Sequence, residues 1–524
     1  MITTRRVFGA WLVVAAVILL WIGRGMWATA DDWQLVGTRS WTDPASLLRD
    51  HNQHFSLVPV VVYKAMFEAV GFSDYWPYRV VSVVIHLGVV VLLWVLLRRL
   101  GVRTLVAAVV AGAFALFNGG VLVVAQFQMP LALGLSLGLF LIAMRTSAPT
   151  SRTVAGAVLG CLAAATSAIA IPVIAAAGAV AWRRRGVRTA VLLVAPAAVL
   201  YAAWWVWDSP TPAALVGWGP TAQGAVQWSL KGVVAAAEAL AGMWPLAILL
   251  SVAVGSGVVL ARRARLDVRT FEPLTLALAA VAVLLFAYLA RGSDPTAVTQ
   301  SRFTYVTALL WLPVVAVGME GLISLGRQWA LLIVVPLAVG LFVNVSLLRE
   351  EADISAAFQN AAKVEVAAML RSPAAADTPV WIRPWWSGGA LGIGDTTWGF
   401  LKEAHAQGHL DLAEVEVPPD VESAAVIRLR MAQLEEDPSG ACEPHKEPVV
   451  RTLRPGSRIG FRGGGDPRGS LISVRRTAGG GPADFWADRD GDTIEAVGTD
   501  PASGAALEVE IAAGVPGAVF YLCE

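Results

Sequence analysis

Long apolar runs separated by short basic connectors occupy the first two thirds of this chain, and the pattern ends near residue 348. A helix needs about 20 apolar residues to cross a hydrocarbon core of about 30 Å. Eleven runs approach that length: 7–22, 80–97, 104–118, 121–144, 153–166, 168–182, 189–207, 240–260, 272–290, 303–321 and 329–348. The 164–172 stretch, which contains ATSAIAIP, reads either as the joint between two short spans or as a break in one long helix. The connectors TTRR (3–6), RRLGVR (98–103), RTSAPTSR (145–152), RRRGVR (183–188), ARRARLDVR (261–269) and GRQ (326–328) all fall on one side if the eleven spans alternate. Arginine-rich short loops mark the cytoplasmic face. The pattern therefore predicts a cytoplasmic N-terminus, with 23–79, 208–239, 291–302 and the tail outside.

Beyond residue 348 the period changes. Residues 351–370 form an amphipathic helical stretch. AAVIRLRM, PVVRTL, SRIGFR, SLISVRR, ALEVEIAAG and AVFYLCE then read as short strands between Gly/Pro/Asp-rich turns, as in a small β-sandwich. The predicted fold class is thus an α-helical polytopic membrane protein of about eleven spans, with a C-terminal extracytoplasmic β-rich domain. Its parts are residues 1–348, including a first outer loop at 23–79, and residues 349–524.

Composition agrees with this division. The 524 residues are 56% hydrophobic and 15% charged, against about a quarter charged in soluble domains. A net charge of +1 with no basic tail gives no nucleic-acid partner. Of the three cysteines, Cys161 lies in an apolar run and reads as a buried thiol. Cys442 and Cys523 both lie in the tail and can form one disulfide if that part is outside the cell. Alternatively, TTRR, the first apolar run and ATA before Asp31 also fit a cleavable signal peptide.

The first outer loop is too long for a plain connector. It holds Asp31, Asp32, Trp33, Asp43, Asp50, His51, His54 and Arg79, and LVPVVVYKAMFEAVG (57–71) reads as an interfacial helix. Trp27, Trp41 and Trp76 read as interfacial anchors. Two adjacent carboxylates near a low-dielectric surface raise at least one pKa, which suits a general base. His51 and His54 offer half a metal site without clear further ligands. His86, inside the second run, is either functional or a neutral imidazole bonded to a neighbouring helix.

The acid pair after the first span, LLRDHNQHFSLVPVV (47–61) and YWPYRVVSVVIHL (75–87) together resemble the GT-C superfamily of membrane glycosyltransferases, and most closely the protein O-mannosyltransferases. The resemblance covers residues 1–100. It implies transfer of a sugar from a polyprenyl-phosphate donor on the extracytoplasmic face, with a catalytic acid in the first outer loop, here Asp31 or Asp32. Members often carry an Arg-Tyr-like pair at the outer end of a late span. SRFTYV (301–306) has Arg302 followed by Phe303, with Tyr305 two further on. The guanidinium suits bidentate phosphate binding, or else snorkels to anchor its helix. The implied site is therefore Asp31 and Asp32 as catalytic acids, with His54, Arg79, Arg302 and Tyr305 binding substrate. The acceptor hydroxyl is left open among glycan, lipid and protein, and so is help from a divalent cation. No metal or cofactor is assigned.

Two tail motifs complete the reading. DRDGDTIE (488–495) is closer to a β-hairpin turn than to a calcium loop, because Thr493 stands where the loop needs Gly. RPWWSGGALGIGDTTWG (383–399) offers tryptophans for stacking on sugars or for packing on a membrane. A carrier or flippase for a lipid-linked glycan, and an envelope assembly scaffold, are the competing functions.

Overall fold

The structure is a computed structural model that describes residues 4–52, 54–119, 126–147, 150–208, 221–264, 266, 268–291, 297–383, 396–434, 442–445, 447–463, 470–476, 483–487, 492–496, 507–513 and 520–523. Its helices are α1 (Thr4–Ile22), α2 (Ala30–Gly37), α3 (Pro44–Leu48), α4 (Leu57–Val70), α5 (Trp76–Arg99) and α6 (Thr104–Phe114). Next come α7 (Gln128–Ala143), α8 (Thr150–Ala164), α9 (Ala170–Arg185), α10 (Val187–Asp208) and α11 (Ala222–Ala241). The series ends with α12 (Trp244–Arg263), α13 (Phe271–Arg291), α14 (Ser301–Ile323), α15 (Leu331–Arg371), α16 (Trp398–Ala406) and α17 (Pro419–Arg430). Two compact units divide the chain. The first comprises Met1–Gly25, Leu48–Val61 and Trp76–Ser355, and the second Met26–Leu47, Val62–Tyr75 and Ala356–Glu524.

The first unit is helical. Among the described residues of the chain, seven helices are long and apolar enough to cross a membrane: Thr4–Gly25, Trp76–Arg99, Val187–Asp208, Trp244–Arg263, Phe271–Leu289, Ser301–Ile323 and Arg327–Arg371. Shorter apolar helices cover Thr104–Phe114, Gln128–Ala143 and Thr150–Ala164. The 164–172 stretch is a joint between two helices, since α8 stops at Ala164 and α9 starts at Ala170. Residues 222–241, most of them in the 208–239 segment read from sequence as outer, form the 20-residue α11.

Helix α14 is the most enclosed of the long helices, with 89% of its most apolar window buried. Glycines let α12 lie directly against it: a Cβ on Gly257 would meet the Gly318 carbonyl oxygen at 2.0 Å, and one on Gly321 the Gly257 oxygen at 1.8 Å. Lipid offers apolar helices no hydrophobic gain on association, so close backbone packing through small residues holds such helices together.

Hydrogen bonds tie helix ends into two sets. At one end, the Arg269 N–H donates to Leu100 O at 3.0 Å, Arg99 to Leu141 O at 2.9 Å and Arg185 to Ile142 O at 3.4 Å. Arg184 pairs there with Glu272, and Arg103 Nε with Glu320 at 2.6 Å. At the opposite end, Arg79 donates to Gly23 O at 2.8 Å, the Val58 N–H to Ala165 O at 3.0 Å and Gln128 to Ser56 Oγ at 2.9 Å. Trp204 and the Asp50 N–H join that set through Leu48 O at 2.8 Å and the Asp208 carboxylate at 2.6 Å. The first set brings the arginine-rich connectors 98–103, 183–188 and 261–269 together at one basic end.

The second unit combines parts of the first long loop with the tail. Trp27, Trp33, Phe67, Phe72 and Tyr75 are all buried. Trp33 packs edge-on to Phe72 at 4.8 Å and to Trp27 at 5.5 Å, and Phe67 stacks on Phe400 of α16 at 5.5 Å. Trp27 is 2% exposed, and its indole N–H donates to Phe72 O at 2.7 Å. It is a core residue and not the interfacial anchor its sequence setting suggested; Trp41 and Trp76 are exposed. Gly71 turns the chain at φ +61, where a Cβ would strike the His409 carbonyl oxygen at 2.3 Å.

Among the described residues, nine strands follow: β1 (Met431–Leu434), β2 (Cys442–His445), β3 (Val449–Leu453), β4 (Arg458–Gly463), β5 (Ser470–Arg476), β6 (Ala483–Ala487), β7 (Asp492–Ala496), β8 (Leu507–Ala513) and β9 (Phe520–Cys523). They form two antiparallel sheets, ordered β1-β7-β4-β9-β2 and β3-β8-β5-β6. The Cys442–Cys523 disulfide expected from the sequence is present, between residues that face each other across β2 and β9. One local expectation fails: AAVIRLRM is not a strand, since residues 424–430 belong to α17 and only Met431 begins β1. DRDG, at 488–491, lies outside the described residues; the flanking β6 and β7 belong to different sheets. Of RPWWSGGALGIGDTTWG, residues 384–395 also lie outside the described residues.

Candidate functional site

The acid pair opens α2 in the second unit. Thr29 is the N-cap, and with Asp32 at the third helical position it forms a capping box. The Thr29 N–H donates to Asp32 Oδ2 at 2.7 Å, and the Asp32 N–H to Thr29 Oγ1 at 3.4 Å. The Tyr75 hydroxyl donates to the same Oδ2 at 2.5 Å. At the other end of α2, the Lys64 ammonium donates to Arg39 O at 2.8 Å and Val36 O at 3.5 Å. Carboxylates at the N-terminus and a cation at the C-terminus both oppose the helix dipole.

The two carboxyls differ in their surroundings. Asp32 is fully buried, and its Oδ1 has no hydrogen-bond partner among the described residues. Burial pushes its pKa up from 3.8 to about 6, against the lowering effect of the bonds from Tyr75 and Thr29. The charge of Asp31 contributes least. The expected rise is therefore present, with desolvation as its main cause and like-charge repulsion as its smallest. Asp31, the first of the pair, is half-buried.

His54, Arg79, Arg302 and Tyr305 belong to the first unit. His54 pairs with His51 through two backbone hydrogen bonds of 3.0 and 2.9 Å, a tight turn that aligns main chains and not imidazoles on a metal. Among the described residues, no three His, Cys, Asp or Glu side chains gather as a metal site. Arg79 is buried, with its guanidinium on Gly23 O and 5.3 Å from the Trp76 ring centre; it joins α5 to the end of α1. Arg302, in the first turn of α14, is half-buried, bonds the Gln300 side chain and lies 5.3 Å from the Phe303 ring.

Tyr305 differs from its sequence assignment. It is fully buried, and its hydroxyl pairs with His86 Nδ1 at 2.9 Å, while His86 Nε2 pairs with Ala115 O at 3.1 Å. One helical turn from Arg302, it packs against Phe114 at 4.9 Å in the bundle interior. His86 accordingly takes the second of its two readings, an imidazole bonded to a neighbouring helix.

Sequence reasoning missed several polar residues. Thr29 was one, although its spacing to Asp32 is a legible capping-box pattern. Tyr75 and Lys64 carried no signal for their contacts with α2, because those contacts close over long loops. In the first unit, Asn344 Oδ1 accepts from the Asn118 N–H at 2.9 Å, and its Nδ2 donates to Ala239 O at 2.7 Å. No protein-family model, curated protein or solved structure matches this chain.

Proposed function

We propose that this protein is an integral membrane glycosyltransferase that moves a sugar from a polyprenyl-phosphate donor to an acceptor hydroxyl, with inversion, on the extracytoplasmic face. The reading rests on the resemblance carried by residues 1–100 and by SRFTYV. One observation supports it above the rest: the two carboxyls that open α2 divide the work of a base site. Asp32 is locked by Thr29 and Tyr75 and fixes the helix start, while Asp31 beside it is only half-buried. Asp31 is assigned the proton of the attacking hydroxyl, and Asp32 is a positioning residue. Arg302 is assigned the departing lipid phosphate, to which a guanidinium can donate two parallel hydrogen bonds. Arg79, bound to Gly23 O, supports the end of α1.

In this reading α1, α5 to α10 and α12 to α15 are the eleven spans, and the basic end faces the cytoplasm of a multi-pass plasma-membrane protein. The Cys442–Cys523 disulfide supports an extracytoplasmic tail, since such bonds persist in oxidising compartments. The test is transfer from a radiolabelled polyprenyl-phosphate sugar by purified Asp31→Asn protein in lipid vesicles. Loss of a general base costs about 10²- to 10⁴-fold, and a variant that folds and keeps wild-type transfer removes the assignment. Movement of the labelled lipid between leaflets without product would instead establish a carrier.

A further inference from the structure

Helix α11 does not behave as a span, and its two ends show why. Thr221, its N-cap, exchanges hydrogen bonds with the Tyr288 hydroxyl, N–H to Oη at 3.1 Å and Oη to the carbonyl at 3.2 Å. Ala239 O, near its C-terminus, accepts from Asn344 at 2.7 Å. Tyr288 stands about 25 Å along α13 from Phe271, and Asn344 about 20 Å along α15 from Leu331, at 1.5 Å per residue. Both helices start at the basic end, so the ends of α11 differ in depth by about 5 Å, although the helix itself is about 30 Å long. It lies across the bundle near the upper edge of a hydrocarbon core of about 30 Å.

Its faces are sorted accordingly. Gly224, Trp228, Gly232, Ala236 and Leu240 form one ridge at i, i+4 spacing, directed inward. There Trp228 packs with Leu284, Tyr288, Val298 and Phe303, and a Cβ on Gly232 would meet Leu284 at 2.6 Å. The opposite ridge exposes Val226, Leu230 and Val234, at 58%, 60% and 41%, and ends on the exposed Glu238. Gln227 and Lys231 are exposed alongside. Three aliphatic side chains in one line, beside an amine and an amide, match an acyl-chain boundary next to phosphate headgroups. The neighbouring surface is of the same kind: Met243 and Trp244, which lead into and open α12, are about half exposed.

We infer that α11 is a membrane-interface helix whose Val226-Leu230-Val234 ridge is immersed in the lipid leaflet away from the basic end, with Lys231 at the level of the lipid phosphates. This inference does not depend on the transferase reading. The test uses single cysteines at positions 226, 227, 230, 231 and 234 in a Cys161→Ser background that keeps the Cys442–Cys523 disulfide. Each is labelled with an environment-sensitive fluorophore, and the protein is reconstituted in phosphatidylcholine/phosphatidylglycerol vesicles. Shallow spin-labelled lipids should quench positions 226, 230 and 234 at least twofold more than positions 227 and 231, and aqueous iodide should show the reverse order. Positions 226 and 234 should report one depth. Depth that changes steadily along the helix would mean that α11 crosses the bilayer, and iodide quenching at all five positions would mean a water-facing helix. Protection of the ridge from both quenchers would mean a protein partner or a second copy. Any of these three results overturns the inference.

Discussion

Replacing Asp32 by Asn removes a titration while nearly preserving the shape of the side chain. The amide oxygen can take the place of Oδ2 and still accept from the Thr29 N–H and the Tyr75 hydroxyl. In the folded protein Asp32 titrates at about 6, against 3.8 for an unburied carboxyl. The folded state therefore holds its proton more tightly than the open state does. Stability from this group is fully present below about pH 4, falls as pH rises toward 6, and is then lost. A shift of about two pKa units at 1.36 kcal/mol each amounts to about 3 kcal/mol, most of it between pH 4 and 7. Hydrogen exchange of the amides in residues 26–47 reports the free energy of opening this segment. After correction for the intrinsic pH dependence of exchange, the wild-type value should fall by about 2 to 3 kcal/mol relative to the variant between those pH values. Equal pH dependence in the two proteins would refute the claim that Asp32 is a desolvated carboxyl, and with it the division of labour between the two acids.

Tyr305→Phe should leave transfer within about twofold of wild type while lowering thermal stability by about 1 kcal/mol, the usual value of one hydrogen bond; a large change in KM for the lipid donor would restore a binding role. Cys442→Ser with Cys523→Ser opens a loop with a sequence separation of 81. The chain-entropy relation gives about 4 kcal/mol for such a loop, to be read as an earlier fluorescence or proteolysis transition of the second unit, with the helical unit unaffected. Gly321→Ala places a methyl group on the Gly257 carbonyl, whereas Gly255→Ala meets nothing within 4 Å. The first should sharply lower the yield of folded protein in detergent and the second should not, as size-exclusion profiles would show.

Much of this protein was legible in its sequence, because hydropathy and periodicity act over a few residues. The apolar runs, the arginine connectors gathered at one end, the tail strands PVVRTL, SRIGFR, SLISVRR, ALEVEIAAG and AVFYLCE, and the Cys442–Cys523 pair all follow from local pattern and from the compartment it implies. Tertiary structure decided the rest. Asp31 and Asp32 are neighbours with the same side chain, yet the first is half-buried and the second fully buried with a hydrogen bond from Tyr75, 43 residues further on. Tyr305 stands three residues from Arg302 on the same helix face, and only the packing of α5 against α14 brings its hydroxyl to His86. VVAAAEALAG reads from sequence as part of an outer helix, but the tie of α11 to Tyr288 and Asn344 came only from hydrogen bonds far along the chain. Local pattern sets which segments become helices and strands. Burial, and therefore charge state and accessibility, depends on which distant segments close over a residue.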